Sequence, residues 1–148
     1  MSPLQGIELQ RQNGTVVKSD DVIKDKLILL YFSAHWCPPC RGFTPLLKTF
    51  YEEKGKKNGV CIIFVSSDRS ESEMKSYFHE SHGDYYALPF NSASKNQLKK
   101  MCNVSGIPKL CLVHKEGGVV DEDVRSKVQD SPGTVVATLT TMLNQYSK

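Results

Sequence analysis

Two thiols three residues apart, Cys37 and Cys40, stand where a compact apolar run gives way to a helical pattern, and few folds satisfy that junction. The run from Lys26 to Phe32 is rich in aliphatic and aromatic side chains, as expected of a strand covered on both faces. After it, Phe43, Leu46, Leu47, Phe50 and Tyr51 recur at helical spacing, which places Cys37 at a helix N-terminus and Cys40 in its first turn. Residues three apart on a helix are neighbours, so the pair can close to a disulfide and reopen without large backbone motion. Unpaired N–H groups and the positive end of the helix dipole favour a thiolate on the earlier cysteine, which makes Cys37 the expected nucleophile. Pro38 and Pro39 lack N–H groups and hold φ near −65°, so they stiffen the turn and suit a helix start. The Cys40 N–H is the expected donor to Cys37.

Two other uses of such a pair fit less well. Structural zinc takes four ligands, commonly as two paired sets, and no second C-x-x-C or H-x-x-x-H follows. A purely structural disulfide would close a very short loop, which yields the least stabilisation, and no secretory signal is read at the start of the chain. Five cysteines without such a signal point to a reducing compartment, the cytosol foremost and the nucleus as a second location, where one pair cycles and the rest stay free. The odd number agrees.

A length of 148 residues suits one domain with a real core, so residues 1–148 are read as a single domain. Charged residues make up 24% and hydrophobic ones 39%, and no apolar stretch approaches the ~18 residues of a membrane span. A net charge of +3 gives no strong basic field, so neither nucleic acid nor membrane is an expected partner. Lys54, Lys56 and Lys57 read as a solvated helix end.

Along the chain, Ile7 to Gln10 and Thr15 to Lys18 flank Asn13-Gly14 and suggest a small edge hairpin. Asp20 and Asp21 are expected to cap a short helix before the central strand. Pro45 falls inside the helix that follows the dithiol and should kink it, and Gly55 and Gly59 should end it. Val60 to Val65 is a second wholly apolar run, so the two strands and the helix form a βαβ unit with parallel strands and the dithiol at the carboxyl end of the first. Ser70 and Glu73 form a capping box before Met74, Tyr77 and Phe78, and Gly83 is the expected stop. Asp84 to Phe90 reads as an aromatic-rich connection. Ser94 and Gln97 should cap a short helix with Leu98, Met101 and Cys102 on its apolar face. Lys109 to His114 is a third strand, Gly117-Gly118 a turn and Val119-Val120 an edge strand. The last helix has Pro132 in its first turn and Val136, Leu139, Leu143 and Tyr146 on one stripe, and should pack on the sheet.

With the dithiol helix, its proline and Gly106-Ile107-Pro108 before a strand in place, the chain resembles the thioredoxin superfamily over nearly its whole length. Trp36-Cys37-Pro38-Pro39-Cys40-Arg41-Gly42-Phe43-Thr44-Pro45, with Leu88-Pro89-Phe90, is similar to its tryparedoxin and nucleoredoxin branch, and Ile107-Pro108-Lys109-Leu110 resembles the nucleoredoxin-like proteins. The resemblance implies an α/β thioredoxin-like fold: a central mixed β-sheet flanked by α-helices, with an N-terminal β-hairpin and a helical insert between Cys40 and Pro108. It also implies that Pro108 is cis and faces the dithiol, leaving the Ile107 backbone free to pair with an extended substrate segment. Many thioredoxins have a buried Asp six residues before the first cysteine. Here Tyr31 occupies that position, so the usual proton acceptor for Cys40 is missing, and a phenol is a poor base at neutral pH.

The function expected is that of a thiol-disulfide oxidoreductase. Cys37 attacks a substrate disulfide and Cys40 resolves the mixed disulfide, while Trp36, Pro38, Pro39, Arg41, Ile107, Pro108 and Lys109 form the substrate-binding surface. Trp36 would shield the thiols, Arg41 would add positive potential, and Lys109 reads either as a cation near the thiols or as a solvated lysine. His35 reads as an exposed loop residue, and His79, His82 and His114 as solvated or locally bonded. Cys61, Cys102 and Cys111 read as small buried hydrophobes. The expected partners are disulfide-containing proteins and an unidentified thiol reductant, with no cofactor or metal, and the expected state is monomeric. A redox-responsive protein-binding module of the nucleoredoxin type, and more weakly a thiol peroxidase using Cys37, are the alternatives.

Overall fold

A computed structural model describes residues 3–146. Their centre is a seven-stranded mixed sheet in the order β2-β1-β5-β4-β3-β6-β7. The strands are β1 (Glu8–Gln10), β2 (Val16–Lys18), β3 (Leu27–Ser33), β4 (Val60–Ser66), β5 (Tyr86–Ala87), β6 (Lys109–Val113) and β7 (Val119–Asp121). The two apolar runs become the buried strands β3 and β4, paired in parallel from Leu27↔Val60 to Ser33↔Ser66. On its other side β3 pairs antiparallel with β6, with Phe32 opposite Lys109.

Alternation along these strands divides the core between the two faces. Leu29, Tyr31, Ile62, Phe64, Leu110 and Leu112 point to one face. There they meet α2 (Pro38–Phe50), α3 (Glu71–Ser81), α5 (Val124–Asp130) and α6 (Val135–Tyr146). Ile28, Leu30, Phe32, Ile63, Val65 and Cys111 point to the other, under α1 (Ser19–Ile23), α4 (Lys95–Met101) and the N-terminal Leu4 and Leu9.

Several local expectations need correction. Asp20 does not cap α1; its carboxylate accepts from the Gly6 N–H at 3.1 Å, and Lys18 stands at the cap position. Ser94 precedes α4 without a side-chain cap. Gly55 does not stop the dithiol helix, which passes through Pro45 and continues as a π turn (Tyr51–Gly55) and a 3-10 turn (Lys56–Asn58). Gly59 ends it with φ +78°, the left-handed conformation glycine tolerates, and its carbonyl accepts from Leu27 N at 2.9 Å as β3 begins. Pro132 belongs to a 3-10 turn ahead of α6. The aromatic connection contains β5, which joins the N-terminal hairpin to β4. Helix α5 was not foreseen; Asp123 caps it, accepting from Ser126 N at 3.1 Å. The Ser70 cap on α3 stands as expected, accepting from Glu73 N at 3.1 Å.

Candidate active site at the dithiol

Strand β3 delivers its chain to the head of α2 through Ala34, His35 and Trp36. Cys37 is the N-cap residue, with extended backbone, and its sulfur accepts from the Cys40 N–H at 3.3 Å. The Cys37 thiol lies 3.7 Å from the carbonyl oxygen of Ile107, and the Ile107–Pro108 bond is cis. Ala34, Cys37, Cys40 and Ile107 thus form a small apolar cluster of their own. Cys37 keeps 4% exposure and Cys40 none. Both are free thiols.

That difference in access separates their chemistry. Burial, together with its bond to Cys37, pushes the Cys40 thiol up to about 12, against donors from the Ala34 backbone and the Ser33 side chain that favour its anion. Cys40 is therefore held as a thiol at neutral pH.

Trp36 is 43% exposed, its indole N–H donates to Ser67 O at 3.0 Å, and the Arg69 guanidinium lies 5.5 Å from its ring centre. Pro38 and Pro39 form the exposed first turn of α2. Arg41 donates to the His35 carbonyl at 2.8 Å, which fastens the loop from the helix side. Lys109 is ion-paired with Glu122 at 3.4 Å, and its charge favours the anions of Cys102 and Cys111. His35 is exposed, with its ring against Tyr77. A cleft of about 400 Å³ at Leu27, Gly59 and Val113 lies at the opposite end of β3 and shares no residue with the dithiol site.

Three features were not anticipated. Asp68, buried behind the loop, accepts from His35 N at 2.8 Å and from the Ser66 hydroxyl at 2.7 Å. Beneath Cys40, the hydroxyls of Tyr31, Ser33, Thr44 and Tyr77 meet in a buried cluster: Tyr31 to Thr44, Thr44 to Tyr77 and Tyr77 to Ser33 are each 2.6 Å. Strand alternation puts Tyr31 and Ser33 on one face, and the i, i+4 relation puts Cys40 and Thr44 on one side of α2, which was the available signal. Third, His82 is locally bonded, as expected, but not solvated. It is 2% exposed, packed on Phe64 and Tyr77, and bonded through Nδ1 to the Tyr85 hydroxyl at 2.6 Å. It continues the Met74–Phe78 stripe at i+4, the pattern that marks it as inward-facing.

The remaining cysteines are buried. Burial raises Cys61 to about 12, and the neighbouring Cys111 thiol together with burial keeps Cys102 protonated. Among the described residues no group of three or more His, Cys, Asp or Glu could hold a metal, and no helix is long and apolar enough to cross a membrane.

A family model described as thioredoxin-like matches residues 25–119. The chain is 40% identical over 118 residues to probable nucleoredoxin 1 of Arabidopsis thaliana, covering 79% of this chain and only 20% of that protein. It is 38% identical over 111 residues to tryparedoxin of Trypanosoma brucei brucei, covering 72% of this chain and 74% of that one. Among solved structures, a thioredoxin from Wuchereria bancrofti superposes with a TM-score of 0.81 at 43% identity, over 93% of this chain and 97% of that chain.

Proposed function

Because the chain belongs to the thioredoxin-like family, we propose that it is a thiol-disulfide oxidoreductase in which Cys37 attacks a substrate disulfide and Cys40 resolves the product. The observation that carries this reading is the asymmetry of the pair. Cys37 stands at a helix N-cap with the Cys40 N–H as donor and keeps 4% exposure, while Cys40 is wholly buried with its thiol held protonated.

In the first step Cys37 gives up its proton and its sulfur bonds to one substrate sulfur, the substrate S–S bond breaks, and the other substrate sulfur leaves carrying that proton as a thiol. In the second, Cys40 loses its proton and bonds to Cys37, the mixed disulfide breaks, and the second substrate sulfur leaves carrying that proton. The substrate disulfide has then gained two electrons, which the protein dithiol has lost. An external thiol reductant restores Cys37 and Cys40 by the reverse exchange. Trp36, Pro38 and Pro39 provide an exposed rim, and in this reading the Ile107 backbone at the cis-Pro108 bend pairs with an extended segment of a protein substrate. We assign residues 1–148 to one domain of this type.

A Cys40→Ser variant tests the assignment, because it can attack but not resolve. Mixed with a disulfide-bonded protein such as insulin, it should accumulate a covalent adduct on Cys37 that dithiothreitol releases. Absence of an adduct, or one that forms equally well in a Cys37→Ser/Cys40→Ser variant, would sink the proposal.

A further inference from the structure

The loop that delivers Cys37 carries two guanidinium groups on consecutive residues. Arg41, in the first turns of α2, reaches back to the His35 carbonyl at 2.8 Å, and Arg69, from the segment that follows β4, lies over the Trp36 ring at 5.5 Å from its centre. His35 and Trp36 lead directly into the attacking cysteine, and all four of these residues are exposed. Among the described residues neither guanidinium has an ion-pair partner. We propose that this rim selects disulfides carried on acidic protein segments, with Arg69 as the specificity-determining residue and Arg41 adding to its field. The proposal rests on the reading of Cys37 as attacker and names the class of substrate that it attacks.

The charge around the loop is not cancelled by its neighbours. Asp68 lies beneath the same loop, but it is buried, and its two oxygens are taken by the His35 N–H and the Ser66 hydroxyl. Of the acids on adjoining elements, Glu71 is paired with Lys75, Glu73 accepts from the Ser70 hydroxyl, and Glu122 is paired with Lys109 beside the cis proline. The outer surface of the loop therefore stays locally positive, although the whole chain carries a net charge of only +3.

Both cations are also held in place. The electron-rich face of Trp36 attracts Arg69, and the indole is itself fixed by its N–H bond to Ser67 O at 3.0 Å. A guanidinium already fastened loses less freedom on meeting a carboxylate than a free side chain does. Its planar fork matches both oxygens of a carboxylate, and N–H groups remain for that purpose: Arg41 spends one side-chain bond on His35, and Arg69 spends none. Rim charges of this kind act mainly on the rate of encounter, which is the quantity that decides between competing disulfides.

Two peptides test this, each with one cysteine capped as a disulfide with thionitrobenzoate, one flanked on either side by two glutamates and the other by two lysines. Cys37 gives up its proton to water, its sulfur bonds to the peptide sulfur, the capping S–S bond breaks, and thionitrobenzoate leaves as a coloured thiolate, so the rate of colour reads the attack alone. The acidic-to-basic ratio of these rates, compared between proteins, cancels the peptides' own reactivities. At about 0.05 M salt, Arg69→Gln should lower the ratio about threefold, within the range of one exposed ion pair, and Arg69→Glu about tenfold. At about 1 M salt, where the screening length is ~3 Å, these differences should shrink below twofold. Lys57→Glu makes the same change in net charge in the turn at the far end of β3, roughly 20 Å along the strand, and should move the ratio less than twofold. A ratio that Arg69→Glu lowers by less than twofold at low salt, or that Lys57→Glu lowers equally, overturns the proposal. Release from neither peptide beyond that seen with Cys37→Ser would instead refute the reading of Cys37 as attacker.

Discussion

His82 should make this protein sensitive to mild acid, and the size of the effect can be worked from its surroundings. The ring is 2% exposed, enclosed by Phe64, Tyr77, Phe78 and Tyr85, and its Nε2 has no hydrogen-bond partner. Burial, with the nearby Lys48 charge adding to it, lowers its pKa from 6.5 to about 3. Because the folded value lies below the unfolded one, the unfolded chain binds the proton first. Stability is complete above the unfolded value and falls as pH drops toward the folded one. Each unit within that window costs about 1.4 kcal/mol, so moving from about pH 7 to about pH 4.5 removes roughly 3 kcal/mol, a large share of an ordinary domain's stability. Urea unfolding at the two pH values, followed by far-UV circular dichroism and by the fluorescence of the single tryptophan, should show this loss. His82→Gln keeps an acceptor for the Tyr85 hydroxyl but no titrating ring, and other groups titrate alike in both proteins. The difference between their pH slopes therefore isolates His82. Parallel slopes would refute the reasoning.

Asp68→Asn should lower stability by about 1–2 kcal/mol, since one amide oxygen cannot replace two carboxylate oxygens that receive the His35 N–H and the Ser66 hydroxyl; a thermal melt measures it. Gly83→Ala should also destabilise, by about 1–3 kcal/mol, because its Cβ would lie 3.1 Å from a Tyr85 ring that is itself tied to His82. Gly118→Ala, whose Cβ would run into the hydroxyl of the exposed Tyr146, should stay within about 0.5 kcal/mol because that side chain can swing away.

What could be read from the residues, and what could not, follows from the range over which each feature is determined. The strands β3, β4 and β6 and the head of α2 are set by local apolar runs and by a helical stripe, so the dithiol and its position at the carboxyl end of β3 were legible. Strand β5 is two residues long and exists through its partners on β1 and β4, which no local pattern announces. Helix α5 buries only Val124 and Val128, too few positions to establish a period. The hydroxyl cluster was hidden for a related reason. β3 is apolar on both faces, so alternation paired Tyr31 with Ser33 without saying which face meets α2 and α3. The cis bond at Pro108 and the Cys40 N–H donated to Cys37 agree with the expectations, and Lys109 is paired with Glu122, a partner that no local pattern announces.

The most direct measurement is the dithiothreitol-driven reduction of insulin, followed by the turbidity of the freed B chain, with the unsubstituted protein and Cys37→Ser side by side. The account predicts that the unsubstituted protein accelerates precipitation at substoichiometric amounts and that Cys37→Ser falls to the rate of dithiothreitol alone. Equal acceleration by the two proteins, or none by either, would contradict it.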